Sequence, residues 1–404
     1  MKKNFDVLII GGGASGLMCA VSVKEKNSNI SVAIIEKNDR VGKKLLATGN
    51  GRCNLTNKNI LPDKYVGSFK SHAGRIFSKY NSDFLINYFE NHGLMPYADS
   101  EGRYYPISKQ ASSVLDVLRF ACDRFGVEIF CGESIRTVKK IGNGFNVKTA
   151  ENEFIGNKLV IACGSKASPK LGGSASGADY LKNFGHRFVP FSPALCPIKV
   201  NSDILKSLKG LRASGCVSLY DGDKLIKSEQ GEIQFAENSL SGICIFNLSL
   251  YAKKGYRISI DLLNYISERE LFIILNKNKG LFSHLTIDNL MTGIFHKRLG
   301  QAVLKLSGIR DFSRLCDSLN DKEIIKIARI VKNMNFEIVE NAGFEQAQCA
   351  MGGVHTDELD GKTFESRRVK NLYICGEAVD LCGECGGFNL HFAFVSGIIV
   401  GENL

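Results

Sequence analysis

The chain predicts an α/β protein: a parallel sheet flanked by helices, split in sequence by an inserted β-rich domain that itself carries a helical insertion. Three observations predict it. An apolar run enters a glycine turn and then a periodic helix at residues 5–26. A second strand, glycine turn and helix occupy residues 371–401. Between them the pattern turns to short strands, then to helices, then back to strand.

The first element is Phe5 to Ile10, a continuous apolar run of the kind that fills a strand buried on both faces. It runs into Gly11-Gly-Gly-Ala-Ser-Gly16, where Gly11, Gly13 and Gly16 occupy the G-x-G-x-x-G positions. The first glycine permits the turn, the second lets a pyrophosphate reach the backbone, and the third lets helix and strand approach. Ala14 and Ser15 open the helix, which is expected to reach about Lys26 and to aim its free N–H groups at the phosphate. A second strand, Ser31 to Ile35, ends in Glu36, 20 residues beyond Gly16, the spacing of a carboxylate that binds a ribose hydroxyl. An acid there favours an unphosphorylated ribose, hence FAD or NAD over NADP.

Lys37 to Asn57 is too polar and glycine-rich for a core element. Its Thr48-Gly-Asn-Gly-Arg-Cys-Asn54 segment offers backbone N–H groups at Gly49 and Gly51, and polar groups on Lys43, Asn50, Arg52 and Asn54, to a phosphate or a flavin. Cys53 has no neighbouring cysteine before Cys122, which argues against a dithiol on this loop and leaves Cys53 as a lone thiol in reach of a flavin. Ser82 is expected to cap a helix over 83–92 that stops at Gly93, and Ser112 or Ser113 to cap one with the stripe Val114, Leu118, Ala121, Phe125. Between them, Tyr104 and Tyr105 lie on a segment that could cover a ligand.

Val127 to Phe130 reads as a buried strand. Residues 134–140, a Gly142-Asn-Gly144 turn and 145–149 read as a meander that leads into the strand Lys158 to Gly164. Gly172 to Gly177 imitates a second dinucleotide loop, but seven residues separate it from the strand and no ribose carboxylate follows, so it reads as a turn and helix start. Prolines at 190, 193 and 197 mark a boundary. The expected division is 1–190 for the first part of the sheet domain, 191–260 for the β-rich domain, 261–333 for its helical insertion with helices near Asp311 and Asp321, 334–352 for the β-rich return, and 353–404 for the second part of the sheet domain. In the tail a strand enters Gly376-Glu377. The pair Gly386-Gly387 then opens the last helix, whose N-terminus suits the N1–C2=O edge of a flavin. Cys382 and Cys385 form a C-x-x-C that has no second half for zinc; a redox pair is the alternative to incidental thiols.

Composition bounds the function. With 404 residues and 44% hydrophobic content the chain can bury a sizeable core, and no apolar run is long enough to span a membrane. The 13 scattered cysteines and the absence of an export signal point to reduced thiols in a cytoplasm. The formal charge is +11, with 15 Lys/Arg against 8 Asp/Glu between Tyr251 and Asn335. Aromatics are not interleaved there, so a solvated helical face is favoured over a nucleic-acid surface.

Taken together, Gly11–Gly16, Thr48–Asn57, Gly102-Arg-Tyr-Tyr-Pro106, Leu240-Ser-Gly242, Ala350-Met-Gly-Gly353, Gly376-Glu377 and Gly386-Gly-Phe-Asn-Leu390 resemble the YhiN/BaiN-type FAD-dependent oxidoreductases, also described as aminoacetone-oxidase-like or NAD(FAD)-utilising dehydrogenase flavoproteins. The resemblance implies a split Rossmann-like FAD domain with an inserted β-rich domain. It places FAD contacts at the glycine turn, Glu36, Lys37, Thr48–Asn54, Ile135, Ala162, Cys163, Gly164, Gly376, Glu377, Asp380 and Gly386–Leu390. Cys382 stands where the family often has an acid, and His391 where it often has glutamine. His391 and Tyr105 are the candidate proton donors, and the expected partner is a small-molecule substrate. The implied reaction is reduction of an activated C=C, in a small or steroid-like enone, with NAD(P)H as a transient donor because only one Rossmann unit is visible. The alternatives are oxidation of a small amine such as aminoacetone by oxygen, and a flavin-containing nucleic-acid-binding or tRNA-modifying protein.

Overall fold

A computed structural model describes residues 1–404, which divide into two compact units: Met1–Ala194 with Phe344–Leu404, and Leu195–Gly343. The first unit is built on a seven-stranded sheet. Its strands are β1 (Lys2–Ile10), β2 (Val32–Ile35), β3 (Glu128–Phe130), β4 (Thr137–Ile141), β5 (Gly144–Lys148), β6 (Glu153–Ile161) and β7 (Leu372–Ile374). The strands β3, β2, β1, β6 and β7 run parallel, which buries both faces of residues 7–10, 32–35, 159–161 and 372–374 and explains their uninterrupted apolar runs. The buried strand expected at 127–130 is instead the sheet's edge, with Glu128 exposed and Ile129 and Phe130 half-buried.

The strand β6 is longer than its apolar end alone suggests, and its two halves have different neighbours. Glu153 to Gly156 pair antiparallel with β5, while Leu159 to Ile161 pair parallel with β7. The meander therefore branches from the lower half, leaving the upper half free to continue the parallel sheet with a strand from the far end of the chain. Helix α1 spans Ala14–Lys26, as its periodicity predicts, and packs on the last helix, Phe388–Glu402. Glycines allow that approach: a Cβ on Gly397 would meet the Ser15 carbonyl oxygen at 2.4 Å.

The second unit is a closed six-stranded barrel of Ile198–Asn201, Ser239–Ser241, Lys224–Phe235, Arg212–Asp221, Arg257–Asp261 and Met334–Asn341. Its last strand alternates strictly, with Met334, Phe336 and Ile338 inward, and Val217, Leu219, Ile233 and Ile260 also fill the core. Helices Glu268–Leu281, Lys297–Leu306 and Asp321–Lys332 lie between its fifth and sixth strands, where the change of period places them. The first and third begin at capping boxes, Ser267 with Glu270 and Asn320 with Glu323.

Several local expectations are corrected. No helix forms at Asp311, whose carboxylate instead accepts the Ser313 N–H at 2.9 Å in a turn. Asn81, not Ser82, caps the helix Ser82–Asn91, and the helix Ala111–Arg124 starts without a side-chain cap. The strand Cys349–Val354 was expected in the inserted domain; it pairs with Phe188–Ala194 in the first unit, because the chain has already left the barrel at Asn341. No helix is long and apolar enough to cross a membrane.

Candidate functional site

The turn after β1 is a cradle in which each glycine has a different neighbour. A Cβ on Gly11 would meet the Ala162 carbonyl oxygen at 2.4 Å, and one on Gly16 would meet the Gly11 oxygen at 1.9 Å. Both glycines are therefore needed for the protein's own packing. A Cβ on Gly13 would meet no protein atom within 4 Å. Gly13 is also the N-cap of α1, with no side-chain cap and no acid in the first turn. Uncapped N–H groups facing open space fit a pyrophosphate, whose charge the helix dipole favours. Glu36, buried at the end of β2, accepts the Gly12 N–H at 2.7 Å on one oxygen, and the Asn38 N–H at 2.8 Å and Nδ2 at 2.6 Å on the other. These donors fix the carboxylate and leave lone pairs for a ribose hydroxyl. The chain thus fits the pyrophosphate and ribose of FAD.

The second part of the site joins two segments more than 300 residues apart. The Asn57 Nδ2 donates to the Gly386 carbonyl at 3.0 Å, and the Tyr65 hydroxyl donates to the Phe388 carbonyl at 2.9 Å. The Asn389 side chain accepts the Gly383 N–H and donates to its carbonyl, both at 2.8 Å. Gly386 and Gly387 have φ of 124° and 99°, and a Cβ on Gly387 would meet the Thr56 carbonyl oxygen at 2.5 Å. The helix Phe388–Glu402 starts at Gly387 with no side-chain cap and no acid in its first turn, so its N–H groups are available to the flavin's polar edge. Upstream, Gly49, Asn50, Gly51 and Cys53 all have positive φ, which curls the Thr48–Asn54 loop.

Other expected residues are placed as follows. Gly376, at φ 68°, sits against Ser15, and its N–H donates to Ser396 Oγ at 2.9 Å. Ala162 lies under Gly11, Gly164 turns at φ 68°, and the Cys163 thiol, pushed up to about 12 by burial, points to the Ile10 carbonyl at 3.5 Å. Ile135 is half-buried, and its carbonyl accepts the Tyr180 hydroxyl at 3.4 Å. Asp380 accepts the Ser68 N–H at 2.8 Å, which orders a neighbouring loop. Leu390 is half-buried against the core, and Lys37 is exposed. Arg52 stacks over Tyr105 at 4.8 Å from the ring centre, and burial raises the Tyr105 hydroxyl so that it stays protonated.

Three expectations change. Lys43, expected at a phosphate, pairs instead with Asp39, four residues upstream in the preceding bend, at 2.6 Å. Its neighbour Lys44 turns inward instead, 2.7 Å from Glu377, whose other oxygen accepts the Ala350 N–H at 3.0 Å. Burial opposes the charge on Lys44, but the Glu377 carboxylate outweighs it and raises the ammonium. Cys53 is fully buried, and burial pushes its thiol up to about 12, so it is an unreactive core group. His391 is also fully buried: Nδ1 meets Thr56 Oγ1 at 2.8 Å and Nε2 meets the Tyr80 carbonyl at 3.0 Å. Burial lowers its pKa to about 4, so it is a neutral packing group and no proton donor. Sequence reading missed Lys44 and Asn57 as site residues; the i,i+4 spacing of Asp39 and Lys43 was the available sign that Lys44 faces elsewhere.

The family model described as the HI0933-like protein Rossmann domain matches residues 5–403. The chain is 33% identical over 401 residues to the 3-dehydro-bile acid delta(4,6)-reductase of Clostridium scindens, covering 98% of this chain and 97% of that one. It is 26% identical over 407 residues to the ribosomal RNA dihydrouridine synthase of Escherichia coli, covering 100% and 98% of the two chains. Among solved structures, E. coli quinol fumarate reductase FrdA shares the fold at a TM-score of 0.50 and 14% identity, over 100% of this chain and 70% of that one.

Proposed function

Because the chain belongs to the HI0933-like Rossmann family, we propose that it reduces a carbon–carbon double bond conjugated to a carbonyl. It is an enzyme, a FAD-dependent oxidoreductase. The observation that carries the finer reading is shared chemistry. A 3-oxo steroid with 4,6 unsaturation and the uracil ring that becomes dihydrouracil each present an alkene polarised by a carbonyl, and these are the changes for which the two full-length relatives are named. A small or steroid-like enone is the substrate we assign, with NAD(P)H as the donor.

FAD when bound supplies the hydride. The chain holds the pyrophosphate at Gly11–Gly16 and the ribose at Glu36, and it presents the N-terminus of Phe388–Glu402 to the flavin ring. Tyr105, held against Gly49 and beneath Arg52, is the residue we assign to deliver the proton, since its hydroxyl stays protonated. Replacing Tyr105 with Phe should slow product formation while leaving flavin reduction by the donor unchanged.

The decisive experiment is an anaerobic titration of the purified flavoprotein with NADH and then NADPH, followed by a conjugated steroid enone. Bleaching by the nucleotide and recovery of colour with the enone is the expected result. A flavin that stays oxidised with both nucleotides but bleaches with a small amine would replace this reading by amine oxidation. A second reading, reduction of a uracil base within RNA, is suggested by the name of the Escherichia coli relative. It predicts reoxidation by RNA and binding that weakens steeply with salt.

A further inference from the structure

Three short strands, Pro96–Ala98, Arg103–Pro106 and Thr56–Asn57, form a separate sheet in the first unit, with Arg103–Pro106 in the middle. Residues opposite each other across an antiparallel pair share a face, as do alternate residues along a strand. The register sets Tyr97 opposite Tyr105. The Asp99 N–H donates to the Arg103 carbonyl at 2.9 Å and the Ile107 N–H to the Met95 carbonyl at 2.8 Å, so the ladder continues in both directions. One face therefore holds three rows: Asp99 with Arg103, Tyr97 with Tyr105, and Met95 with Ile107. Asn57 stands opposite Arg103 and joins the first row.

The rows change character in one direction. The first is polar and closed: Arg103 binds Asp99 through Nε and Glu101 through Nη2, both at 2.8 Å, and Asn57 ties it to the flavin turn at Gly386. The second is aromatic, with ring centres 6.2 Å apart, Tyr105 buried and Tyr97 half-buried. The third is apolar and open, Met95 being 66% exposed and Ile107 60%. The sheet's other face is committed to the protein, with Tyr104 against the core and Thr56 on His391. Single exposed apolar side chains are commonplace, but here two lie side by side and in line with the residue assigned to deliver the proton.

We propose that Met95, Tyr97 and Ile107 form the platform for the apolar body of the substrate, and so select an extended, steroid-sized enone over a small one. The proposal rests on the enone-reductase reading, with Tyr105 as its proton donor. Rows two residues apart along a strand are separated by about 7 Å. An enone ring at Tyr105 therefore places the rings fused to it over Met95 and Ile107, whereas a single ring ends before reaching them. The ion-paired first row closes the opposite direction, since an apolar body laid there would strip water from Arg103 and Asp99 and replace it with nothing.

The test compares two probes that share the reacting group, a 3-oxo-4-ene steroid and cyclohex-2-enone, as oxidants of the FAD-loaded enzyme after anaerobic reduction with dithionite. The unmutated enzyme should prefer the steroid in kcat/KM. Met95→Ser and Ile107→Ser should each lower that preference about 10-fold, and the double variant about 100-fold, through the KM for the steroid. Phe120→Ser, which removes an equally exposed apolar side chain from the helix Ala111–Arg124, should leave the preference as it was. The saturated 3-oxo steroid, which cannot react, should rank the variants in the same order by its Kd, read from the absorbance of the oxidised flavin. An unchanged preference in the double variant, or both probes slowed alike, overturns the platform and leaves the enone reductase standing. Reoxidation of the unmutated enzyme by neither probe overturns both. Met95 and Ile107 are exposed, so replacing them leaves the core untouched.

Discussion

Gly13 and Gly16 lie three residues apart, and the same added methyl should have opposite consequences at the two. In Gly16→Ala the new Cβ falls 1.9 Å from the Gly11 oxygen, where backbone must give way. The cost belongs at or above the top of the about 1–3 kcal/mol usual for overpacked cores. The apo protein should melt several degrees lower and bind FAD poorly. In Gly13→Ala the Cβ meets nothing within 4 Å and φ is −85°, which alanine adopts freely. The only intrinsic loss is the preference for glycine over alanine at an N-cap, up to about 1 kcal/mol. The methyl does, however, occupy the space assigned to the pyrophosphate. Losing one charge-assisted N–H contact costs about 1.5–3 kcal/mol, which is about 10- to 100-fold in affinity. Apo melting curves and FAD titrations followed by flavin fluorescence read the two effects separately. Gly13→Ala with native affinity for FAD would show that the open space is not the phosphate site. An undamaged Gly16→Ala would show that the β1–α1 packing is looser than described.

His391 should make the protein acid-sensitive. Its pKa is about 4 in the folded chain against 6.5 ordinarily, so the unfolded chain binds the extra proton between those values. Stability is full above pH 6.5 and should fall by about 3 kcal/mol on descending to pH 4, since one unit corresponds to about 1.4 kcal/mol. His391→Gln, which can still bond Thr56 and Tyr80, should flatten that slope in melts across pH. Asn389→Ala strips two partners from the buried Gly383 backbone and should cost about 2–4 kcal/mol; thermal melts and FAD release on heating would both register it. Lys44→Met leaves Glu377 without its cation and should lower stability by about 1–2 kcal/mol, a modest loss because both groups keep some solvent. Native stability in a chemical denaturation curve would contradict the inward role of Lys44.

What the sequence made legible was chemistry that is local. Gly11, Gly13 and Gly16 declare their turn because no other residue fits two of the three positions, and Glu36 is read by counting from them. The helical stretch between the fifth and sixth barrel strands is visible as a change of period from two to 3.6. What stayed hidden depends on partners distant along the chain. Lys43 and Lys44 are indistinguishable until Asp39 takes one and Glu377 the other. His391 stands beside functional glycines and resembles a catalytic group, but Thr56 and Tyr80 occupy both its nitrogens. Asn81 outcompetes Ser82 as a cap because only its carbonyl reaches the Phe84 N–H.

The divided edge of β6 sets an order of events during synthesis. Its lower half finds β5 almost at once, but its upper half waits for Leu372–Ile374, more than 200 residues later. The barrel, complete at Asn341, needs nothing from the tail and can close while the ribosome is still at work. The glycine cradle is different: the helix that braces α1 ends at Glu402, two residues before the last. A chain stopped short of its final helix would therefore emerge with a finished barrel and an unfinished cofactor site. Yellow colour in a nascent preparation would mark only those molecules that had been translated through that helix.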